Sequence, residues 1–235
     1  MTITGQHNLK LREIRKLSAR RRWRERAGRF VAEGEDLLAA ADAAGWEPVE
    51  RFCAAGSGLA GLEVEPMLLA SACGLASGTR AVAVYDERWA PAPAGPLCVY
   101  VHGVHDPGNI GAILRSAQAF GAASVALGPG TADPYSPKAV RASMGAVFSV
   151  ALARAQTIAE LPRPMVALAA GRGAPLHDVD VRAATLMIGA ERDGLPEELL
   201  AAADHVAHIP IETHSLNAAM AATVALYQAN RMARR

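Results

Sequence analysis

The sequence predicts an α/β protein: a C-terminal, mostly parallel sheet with helices on both faces, preceded by a small α/β domain. Two observations lead to this fold class. After residue 97, short apolar runs alternate with helical segments, as in parallel sheets whose strands are connected by helices. Before it, the proline-rich segment 89–96 has the composition of a linker. We therefore expect a first domain at residues 1–88 and a second at 97–235.

The composition is that of a globular protein and restricts the classes of function. Of the 235 residues, 51% are hydrophobic and 20% are charged, and no apolar run is long enough to span a membrane. The first residues lack the apolar core of a signal peptide, and the three cysteines have no CxxC spacing. We therefore expect a cytoplasmic protein without membrane association, disulfide framework or metal site.

Positive charge is concentrated near the N-terminus, although the net charge is only +1. Residues 1–30 contain ten Lys and Arg against two Glu. This excess predicts a polyanionic partner, with nucleic acid favoured over membrane, and Trp23 and Phe30 among the arginines could stack on exposed bases. Two alternatives stay open: a basic tail that only aids solubility, and aromatic residues that only anchor their helix to the domain.

The first domain is predicted to begin with a basic helix over residues 8–29. Strands are then expected at 30–32, 49–54 and 81–85, and helices at 35–44 and 66–73. Gly45 is expected to end the helix at 35–44, because glycine readily adopts the left-handed conformation of a C-cap.

Strands and helices are predicted to alternate in the second domain. Strands are expected at 97–104, 123–128, 148–152, 165–170, 186–190 and 206–211, and helices at 109–120, 137–144, from 196 and at 218–232. Gly121 is the expected C-cap of the first helix, and Ser136 with Pro137 opens the second. The last helix is apolar on nearly all sides, so we expect it to be buried against more than one neighbour.

Three polar turns follow strands of this domain, and such turns share one edge of a parallel sheet. They contain Asn109 with Arg115 downstream, Glu191, and Ser215 with Asn217. Arg115 lies among apolar helix positions, so its burial would require an anionic partner; a structural salt bridge to Glu191 or Asp106 is one reading. Ser215 could equally be the N-cap of a core helix. No turn is a GxGxxG or P-loop sequence, which argues against NTP and dinucleotide sites.

Together, the turns resemble the three signature motifs of the SpoU/TrmH family, RNA ribose 2′-O-methyltransferases of the SPOUT class. The motifs are matched by residues 106–116 (DPGNIGAILRS), by residues 188–191 (IGAE), and by Ile209-Pro210-Ile211 with Ser215-Leu216-Asn217. Segments 131–138 and 141–146 are similar to the intervening part of the family, and the resemblance covers about residues 97–230. The N-terminal part resembles the L30e-like substrate-binding domain of many members, most closely at residues 30–34.

The resemblance implies S-adenosylmethionine as methyl donor without a metal, a homodimer, and a trefoil knot formed by the C-terminal segment. It places Asn109, Arg115, Glu191, Ser215 and Asn217 at catalytic and substrate-orienting positions, and Gly189, Ile209 and Leu216 at cofactor-binding positions. A guanidinium keeps its proton at ordinary pH. We therefore expect Arg115 to act as an electrostatic clamp on a phosphate or a developing alkoxide, although the family often gives it a base-like role.

The function expected from this resemblance is methyl transfer to a ribose 2′-hydroxyl of RNA, with ribosomal RNA favoured over transfer RNA. Residues 192–193 and the glycine-free turn 212–214 depart from the family pattern, which predicts an altered rim of the cofactor pocket. The alternative is a non-catalytic RNA-binding or ribosome-assembly factor on the same fold, against which the complete set of motif residues argues. A nucleotide-binding oxidoreductase is not supported, since no glycine fingerprint is present.

Overall fold

The computed structural model describes residues 2–73 and 78–234, and the chain divides into two compact units. Unit 1 comprises Met1–Glu87 together with Asp133–Phe148, and unit 2 comprises Arg88–Ala132 together with Ser149–Arg235. The first change of unit therefore falls within one residue of the predicted end of the first domain. Residues 133–148, which the sequence places in the second domain, belong instead to unit 1.

The described residues form eight α-helices and eleven strands. The first part of the chain contains α1 (Leu9–Ala19), α2 (Arg21–Ala27), β1 (Arg29–Glu33), α3 (Glu35–Ala43), β2 (Glu50–Ala54), β3 (Leu62–Val64), α4 (Pro66–Cys73) and β4 (Ala81–Asp86). The remainder contains β5 (Cys98–Val101), α5 (Pro107–Phe120), β6 (Ser124–Leu127), α6 (Pro137–Ser143), β7 (Ala151–Arg154), β8 (Met165–Leu168), β9 (Ala174–Pro175), β10 (Thr185–Ile188), α7 (Glu197–Ala202), β11 (His205–His208) and α8 (Ala218–Ala233).

The sheet of unit 1 has four strands in the order β1-β4-β2-β3. β4 pairs antiparallel with both β1 and β2, and β3 pairs parallel with β2. Leu11, Ile14 and Leu17 of α1 are buried in a core shared with the sheet and α4, which also contains Phe52 and Leu69. The predicted helix at 66–73 is confirmed, whereas β3 was not predicted because three residues carry no clear periodicity.

The basic N-terminal segment forms two helices instead of the single helix predicted, because Arg20 is extended, with φ −143° and ψ 131°. The break removes the helical partner of the Leu17 carbonyl. Arg24 replaces that partner: its Nη1 donates to the Leu17 oxygen at 2.5 Å, and its Nε donates to Asp133 Oδ2 at 2.7 Å. Arg24 is only 4% exposed, so a buried ion pair fixes the corner between α1 and α2.

An aromatic cluster explains why residues 133–148 belong to unit 1. The ring centroid of Phe30 lies 4.6 Å from that of Tyr135 and 5.9 Å from that of Phe148. Trp46 Nε1 also donates a hydrogen bond to the Phe148 carbonyl at 2.8 Å. The sequence could not reveal this grouping, because the predicted start of α6 at Ser136, which is confirmed, has the same pattern in either domain.

Unit 2 contains a seven-stranded sheet in the order β7-β6-β5-β10-β8-β11-β9. Every strand pairing in it is parallel, which confirms the predicted α/β fold with a parallel sheet flanked by helices. β7 begins at Ala151, later than predicted, because Ala146–Phe148 forms a 3₁₀ turn. The ends of β5, β10 and β11 lie at one edge of the sheet, where the three polar turns begin.

The proline-rich segment 89–96 lies along this sheet. The Ala90 amide donates to the Leu152 carbonyl at 2.6 Å, and the Ala94 amide donates to Ser124 Oγ at 2.9 Å. The guanidinium of Arg154 lies 4.2 Å from the ring centroid of Trp89. Although its composition is that of a spacer, this segment is therefore fixed to unit 2 by backbone and side-chain contacts.

The C-terminal helix α8 packs against α5 and β10, and Ser116 and Thr223 are hydrogen bonded through their hydroxyl oxygens at 2.6 Å. The expected burial on more than one side is incomplete, since Met220, Val224 and Tyr227 are 61%, 39% and 55% exposed. Neither α8 nor any other helix in the described parts of the chain is long and apolar enough to cross a membrane.

Candidate active site

The three polar turns of unit 2 are connected by side-chain hydrogen bonds. Asn217 Nδ2 donates to Asn109 Oδ1 at 3.1 Å, and Asn109 Nδ2 donates to Glu191 Oε1. One residue from each turn therefore takes part in a single chain of contacts running from Asn217 through Asn109 to Glu191. Asn109 accepts with its side-chain oxygen and donates with its side-chain nitrogen, so these two hydrogen bonds fix the orientation of its amide group.

Asn109 is positioned by the start of α5. Asp106 is the N-cap, and its side chain accepts a hydrogen bond from the Gly108 amide at 2.8 Å. Pro107 occupies the first helical position, where its fixed φ is favourable and its missing N–H costs nothing. The helix begins two residues earlier than predicted, which places Asn109 in its first turn.

Asn217 is positioned by the start of α8 and is the N-cap of that helix. Its Oδ1 accepts hydrogen bonds from the amides of Ala219 at 2.9 Å and Met220 at 3.3 Å. The interpretation of Ser215 as the N-cap is therefore wrong: the cap lies two residues later, and Ser215 is exposed in the preceding turn. Asn217 thus uses its oxygen to start α8 and its nitrogen to hold Asn109.

Glu191 lies in a narrow turn that follows β10. The amides and carbonyls of Ala190 and Gly194 form two reciprocal hydrogen bonds, at 3.1 and 2.9 Å. A Cβ on Gly189 would lie 2.2 Å from the carbonyl carbon of Gly194, so only glycine fits at this position. The close approach of these backbone segments fixes where Glu191 leaves the sheet.

A cavity of about 390 Å³ lies beside this network in unit 2. Its lining includes all three predicted cofactor-binding positions, Gly189, Ile209 and Leu216, and two of the predicted catalytic residues, Glu191 and Ser215. Apolar side chains and backbone make up most of the wall. The rim carries polar side chains from three loops and from the first residue of α7: Arg172, Arg192, Asp193, His214 and Glu197. The two segments that depart from the family pattern therefore both contribute to the rim.

Arg172 is a residue of this rim that the sequence interpretation missed. Its Nη2 donates to Glu197 Oε2 at 3.1 Å, and its Nη1 donates to the other oxygen of the same carboxylate. Gly171 and Gly173, on either side of it, both have positive φ. The glycine pair shortly after β8 could have indicated a functional turn here, because the carboxyl ends of all parallel strands lie at the same edge of the sheet.

Arg115 lies on α5, outside the hydrogen-bonded chain Asn217–Asn109–Glu191. It is exposed on α5, and among the described residues no carboxylate or other hydrogen-bond partner contacts it, so the predicted salt bridge to Glu191 or Asp106 is absent. Ile113, Leu114 and Ala117 form the buried face of the helix, and Arg115 lies on the opposite side. The structure therefore brings Asn109, Glu191, Ser215 and Asn217 to the site, and leaves Arg115 with its charge in solvent.

His102 lies at the same sheet edge, directly after β5. Its Nδ1 is 3.1 Å from the hydroxyl oxygen of Tyr100, whose ring is buried in the core. Burial lowers the pKa of His102 below its ordinary value of 6.5, and the negative charge of Glu198 opposes that shift. The imidazole is therefore kept neutral over a wider pH range than a histidine in solvent.

Comparison with known proteins gives a consistent result. The profile of the SpoU rRNA Methylase family matches residues 96–227, which include β5, β10 and all three polar turns. A crystal structure of an AdoMet-bound rRNA methyltransferase from Sinorhizobium meliloti is similar at a TM-score of 0.88 and 29% identity, covering 99% of this chain and 98% of that one. The SpoU methyltransferase AviRb from Streptomyces viridochromogenes, in complex with AdoMet, gives 0.85 and 28%, covering 96% and 98%.

Curated proteins of similar sequence include two 23S rRNA 2′-O-methyltransferases. The 23S rRNA (uridine(2479)-2′-O)-methyltransferase of Streptomyces viridochromogenes is 37% identical over 140 residues, which are 53% of this chain and 49% of that protein. The 23S rRNA (guanosine(2553)-2′-O)-methyltransferase RlmP of Bacillus subtilis is 32% identical over 136 residues, which are 54% and 55%. The chain thus spans about half the length of these curated relatives. Because the family profile covers more than half of the chain, from residue 96 to residue 227, the protein is a member of the SpoU rRNA methylase family.

Proposed function

We propose that this protein transfers a methyl group from S-adenosylmethionine to a ribose 2′-hydroxyl of ribosomal RNA. The observation that carries the proposal is the hydrogen-bonded chain Asn217–Asn109–Glu191, which joins the three family motifs beside a cavity of about 390 Å³. Membership of the family supports the reaction, and relatives that methylate 23S rRNA support the substrate class.

The cavity fits the proposed cofactor in size and chemistry. Its volume of about 390 Å³ lies within the range of about 300–1,000 Å³ that small ligands and cofactors occupy. Ile209 and Leu216 offer apolar surface to a nucleobase, and the carboxylates of Glu191 and Asp193 complement a cationic ligand. S-adenosylmethionine, when bound, supplies an activated methyl on a positively charged sulfur.

The residues around the cavity have different roles in this proposal. Glu191 and Ser215 border the cavity and would meet the ribose, whereas Asn109 and Asn217 do not line it and act by holding Glu191. Gly189 allows the close approach of the Gly194 backbone that shapes the turn beside the cavity, which a side chain at that position would prevent. Most of the rate enhancement then comes from orienting the 2′-hydroxyl before reaction.

Arg115 acts, in the same proposal, on the RNA. A guanidinium keeps its proton at any ordinary pH, so it stabilises negative charge and does not accept the proton of the hydroxyl. Its exposure and its lack of a carboxylate partner among the described residues leave its donors available for a phosphate or a developing alkoxide. The hydroxyl proton is lost to a phosphate oxygen or to water.

Unit 1 is proposed to be the RNA-binding domain, of L30e-like type. Support comes from its small α/β architecture and from the excess of Lys and Arg in residues 1–30. Counterion release from RNA phosphates favours such binding and makes it weaker at high salt. An enzyme acting on ribosomal RNA would work in the cytoplasm.

We also propose a homodimer formed through the outer face of α8. Met220, Val224 and Tyr227 recur with the spacing of one helix face, and all three are exposed. Such an apolar face on a small protein commonly marks an interaction site. Tyr227 also makes an edge contact with Phe120 of α5 at 6.0 Å between centroids, which extends the apolar surface to a second helix. The trefoil knot in the C-terminal segment stays a prediction from the family.

Calorimetric titration with S-adenosylmethionine tests the cofactor half of the proposal. The wild-type chain should bind one cofactor per chain, and Gly189→Ala should bind it much more weakly, because its new methyl group collides with the Gly194 backbone. Gly5→Ala is the control, since a Cβ there has no neighbour within 4 Å. Absence of cofactor binding by the wild-type chain would instead favour a non-catalytic RNA-binding factor.

A further inference from the structure

Unit 1 contains a groove of about 360 Å³ that the reaction proposed above does not use. It lies at the corner between α1 and α2 and is lined by Leu9, Arg12, Glu13, Lys16, Leu17, Trp23 and Ala27. Its volume is sufficient for a small planar ligand. Its lining combines one large aromatic ring with two positive charges on the neighbouring helix.

The structure divides the basic residues of the N-terminal segment into two groups. Several are ion paired within unit 1: Lys10 with Glu50, Arg21 with Glu25, Arg24 with Asp133, and Arg29 with Glu13 and Asp86. The other six, Arg12, Arg15, Lys16, Arg20, Arg22 and Arg26, have no carboxylate partner among the described residues. Arg12 and Lys16 of this second group line the groove, and Arg22 lies next to the ring of Trp23.

Trp23 is the centre of this arrangement. Lys16 Nζ lies 4.7 Å and the Arg22 guanidinium carbon 5.5 Å from the centroid of its ring. Cations at such positions are attracted by the electron-rich face of an indole. The ring is only partly buried, so one cation can move aside on its flexible side chain and leave the face to another planar group.

The groove exists because the helix breaks at Arg20. A continuous helix would carry Trp23 away from Arg12 and Lys16, whereas the extended Arg20 turns α2 back so that all three border one groove. The buried Arg24–Asp133 pair holds this corner in place. Leu9, which is 76% exposed, adds apolar surface at the edge of the groove.

We propose that this groove binds an unpaired nucleotide of the RNA, with its base stacked on Trp23 and its phosphates paired with Arg12, Lys16 and Arg22. The inference rests on the proposed function only in taking RNA as the substrate. Stacking on an aromatic ring next to basic side chains is the usual way of holding single-stranded nucleic acid, and it needs a base that is not inside a helix. The groove is a contact additional to the cofactor cavity, which lies in unit 2.

The test measures binding of the full-length protein to three probes: single-stranded oligouridylate, a duplex RNA of equal length, and inorganic polyphosphate. Trp23→Leu removes the ring and keeps an apolar side chain, whereas Trp23→Phe keeps a ring. Trp23→Leu should weaken binding of the single strand by about tenfold, which is within the range measured for loss of one stacked base. Binding of duplex RNA and of polyphosphate should not change, and Trp23→Phe should retain most of the affinity.

Charge neutralisation gives an independent readout. The double variant Arg12→Gln, Lys16→Gln should reduce the salt dependence of single-strand binding by about 0.7 in slope for each RNA phosphate that it no longer neutralises. Arg21→Gln is the matched control, because Arg21 is on the same corner and is ion paired with Glu25, and it should leave the slope unchanged. Tryptophan fluorescence should be quenched on binding in the wild type and less so in Trp23→Phe.

The outcomes separate this inference from the proposed function. If Trp23→Leu binds the single strand as tightly as the wild type, or loses affinity for polyphosphate equally, the groove is not a base-stacking site, although methyl transfer to ribosomal RNA can still occur. If the wild-type chain binds single strands through Trp23 but transfers methyl groups to no RNA, the groove is a nucleotide-binding site and the proposed function is wrong. If the wild type binds no RNA, both are wrong.

Discussion

Asn217 donates a hydrogen bond from Nδ2 to Asn109 Oδ1 at 3.1 Å, across 108 positions of the sequence. The same Asn217 side chain is the N-cap of α8, and the same Asn109 side chain holds Glu191. The start of the last helix and the orientation of the site carboxylate therefore depend on one amide. This coupling allows structural and positioning effects to be separated by the choice of substitution.

Asn217→Asp should lower kcat/KM for methyl transfer by at least about tenfold, which is about 1.4 kcal/mol, while the melting temperature stays close to that of the wild type. An aspartate keeps the oxygen that caps α8 but has no N–H to donate to Asn109. Asn217→Ala, which loses both, should in addition be destabilised by about 1 kcal/mol. Thermal unfolding and initial-rate kinetics measure the two effects, and full activity of Asn217→Asp would exclude the positioning role.

Arg24→Met should lower the free energy of unfolding by about 3–5 kcal/mol, because it leaves Asp133 buried without its positive partner. It also removes the donor to the Leu17 carbonyl at the break between α1 and α2. Arg21→Met is the matched control: the Arg21–Glu25 pair is exposed, and its loss should cost no more than about 0.5 kcal/mol. Equal costs in urea denaturation would show that the Arg24–Asp133 contact does not hold the corner.

Stability should fall as the pH is lowered from about 7 to about 5, in part because of His102. Its pKa is below 6.5 in the folded chain, so the unfolded chain binds this proton more readily. The associated stability is complete above pH 6.5 and is lost as the pH falls through the folded pKa. The stabilisation associated with Asp204, whose pKa is lowered mainly by the Met165 amide, is present above pH 3.8 and is lost only below it, so it does not affect this pH range.

His102→Gln should therefore show a smaller loss of unfolding free energy over the same pH range. The other histidines are present in both proteins, so their contributions cancel in the difference. Identical pH dependence of the two proteins in chemical denaturation would mean that His102 titrates normally in the folded chain.

Val224→Glu should shift the protein from dimer to monomer, because it places a charge at the middle of the exposed apolar face of α8. Glu65→Gln, a change of charge in unit 1, serves as the control. Sedimentation velocity at several concentrations measures the effect. A wild-type protein that is monomeric at all concentrations would contradict the proposed dimer without affecting the cofactor experiment.

Local signals in the sequence were sufficient for most helix starts and for the fold class. Pro137 after Ser136, and Pro196 before Glu197, mark the starts of α6 and α7 without any information from the rest of the chain. The parallel sheet followed from strands that are apolar on both faces, which is confirmed by pairings such as that of β5 with β10.

Features that depend on distant partners could not be predicted. The helix break at Arg20 is stabilised by Asp133 through Arg24, and nothing near Arg20 in the sequence indicates it. The apolar neighbours of Arg115 left open whether it is buried with a salt-bridge partner, because a helix separates adjacent residues by about 100° and can bury one while exposing the next. Serine and asparagine are both good N-caps, so the sequence could not decide between Ser215 and Asn217 as the cap of α8. In the structure the cap is Asn217, which also contacts Asn109.

The most direct test of the account is methyl transfer from radiolabelled S-adenosylmethionine to ribosomal RNA, with mapping of the modified ribose. The wild-type chain should modify a defined ribose 2′-hydroxyl, and Gln118→Ala, on the exposed side of α5, should do the same. Arg115→Ala should lose transfer by at least about a hundredfold, as expected for loss of one charge-stabilising group, and still bind the cofactor. Full transfer by Arg115→Ala, or a methyl group found on a base instead of a ribose, would contradict the account.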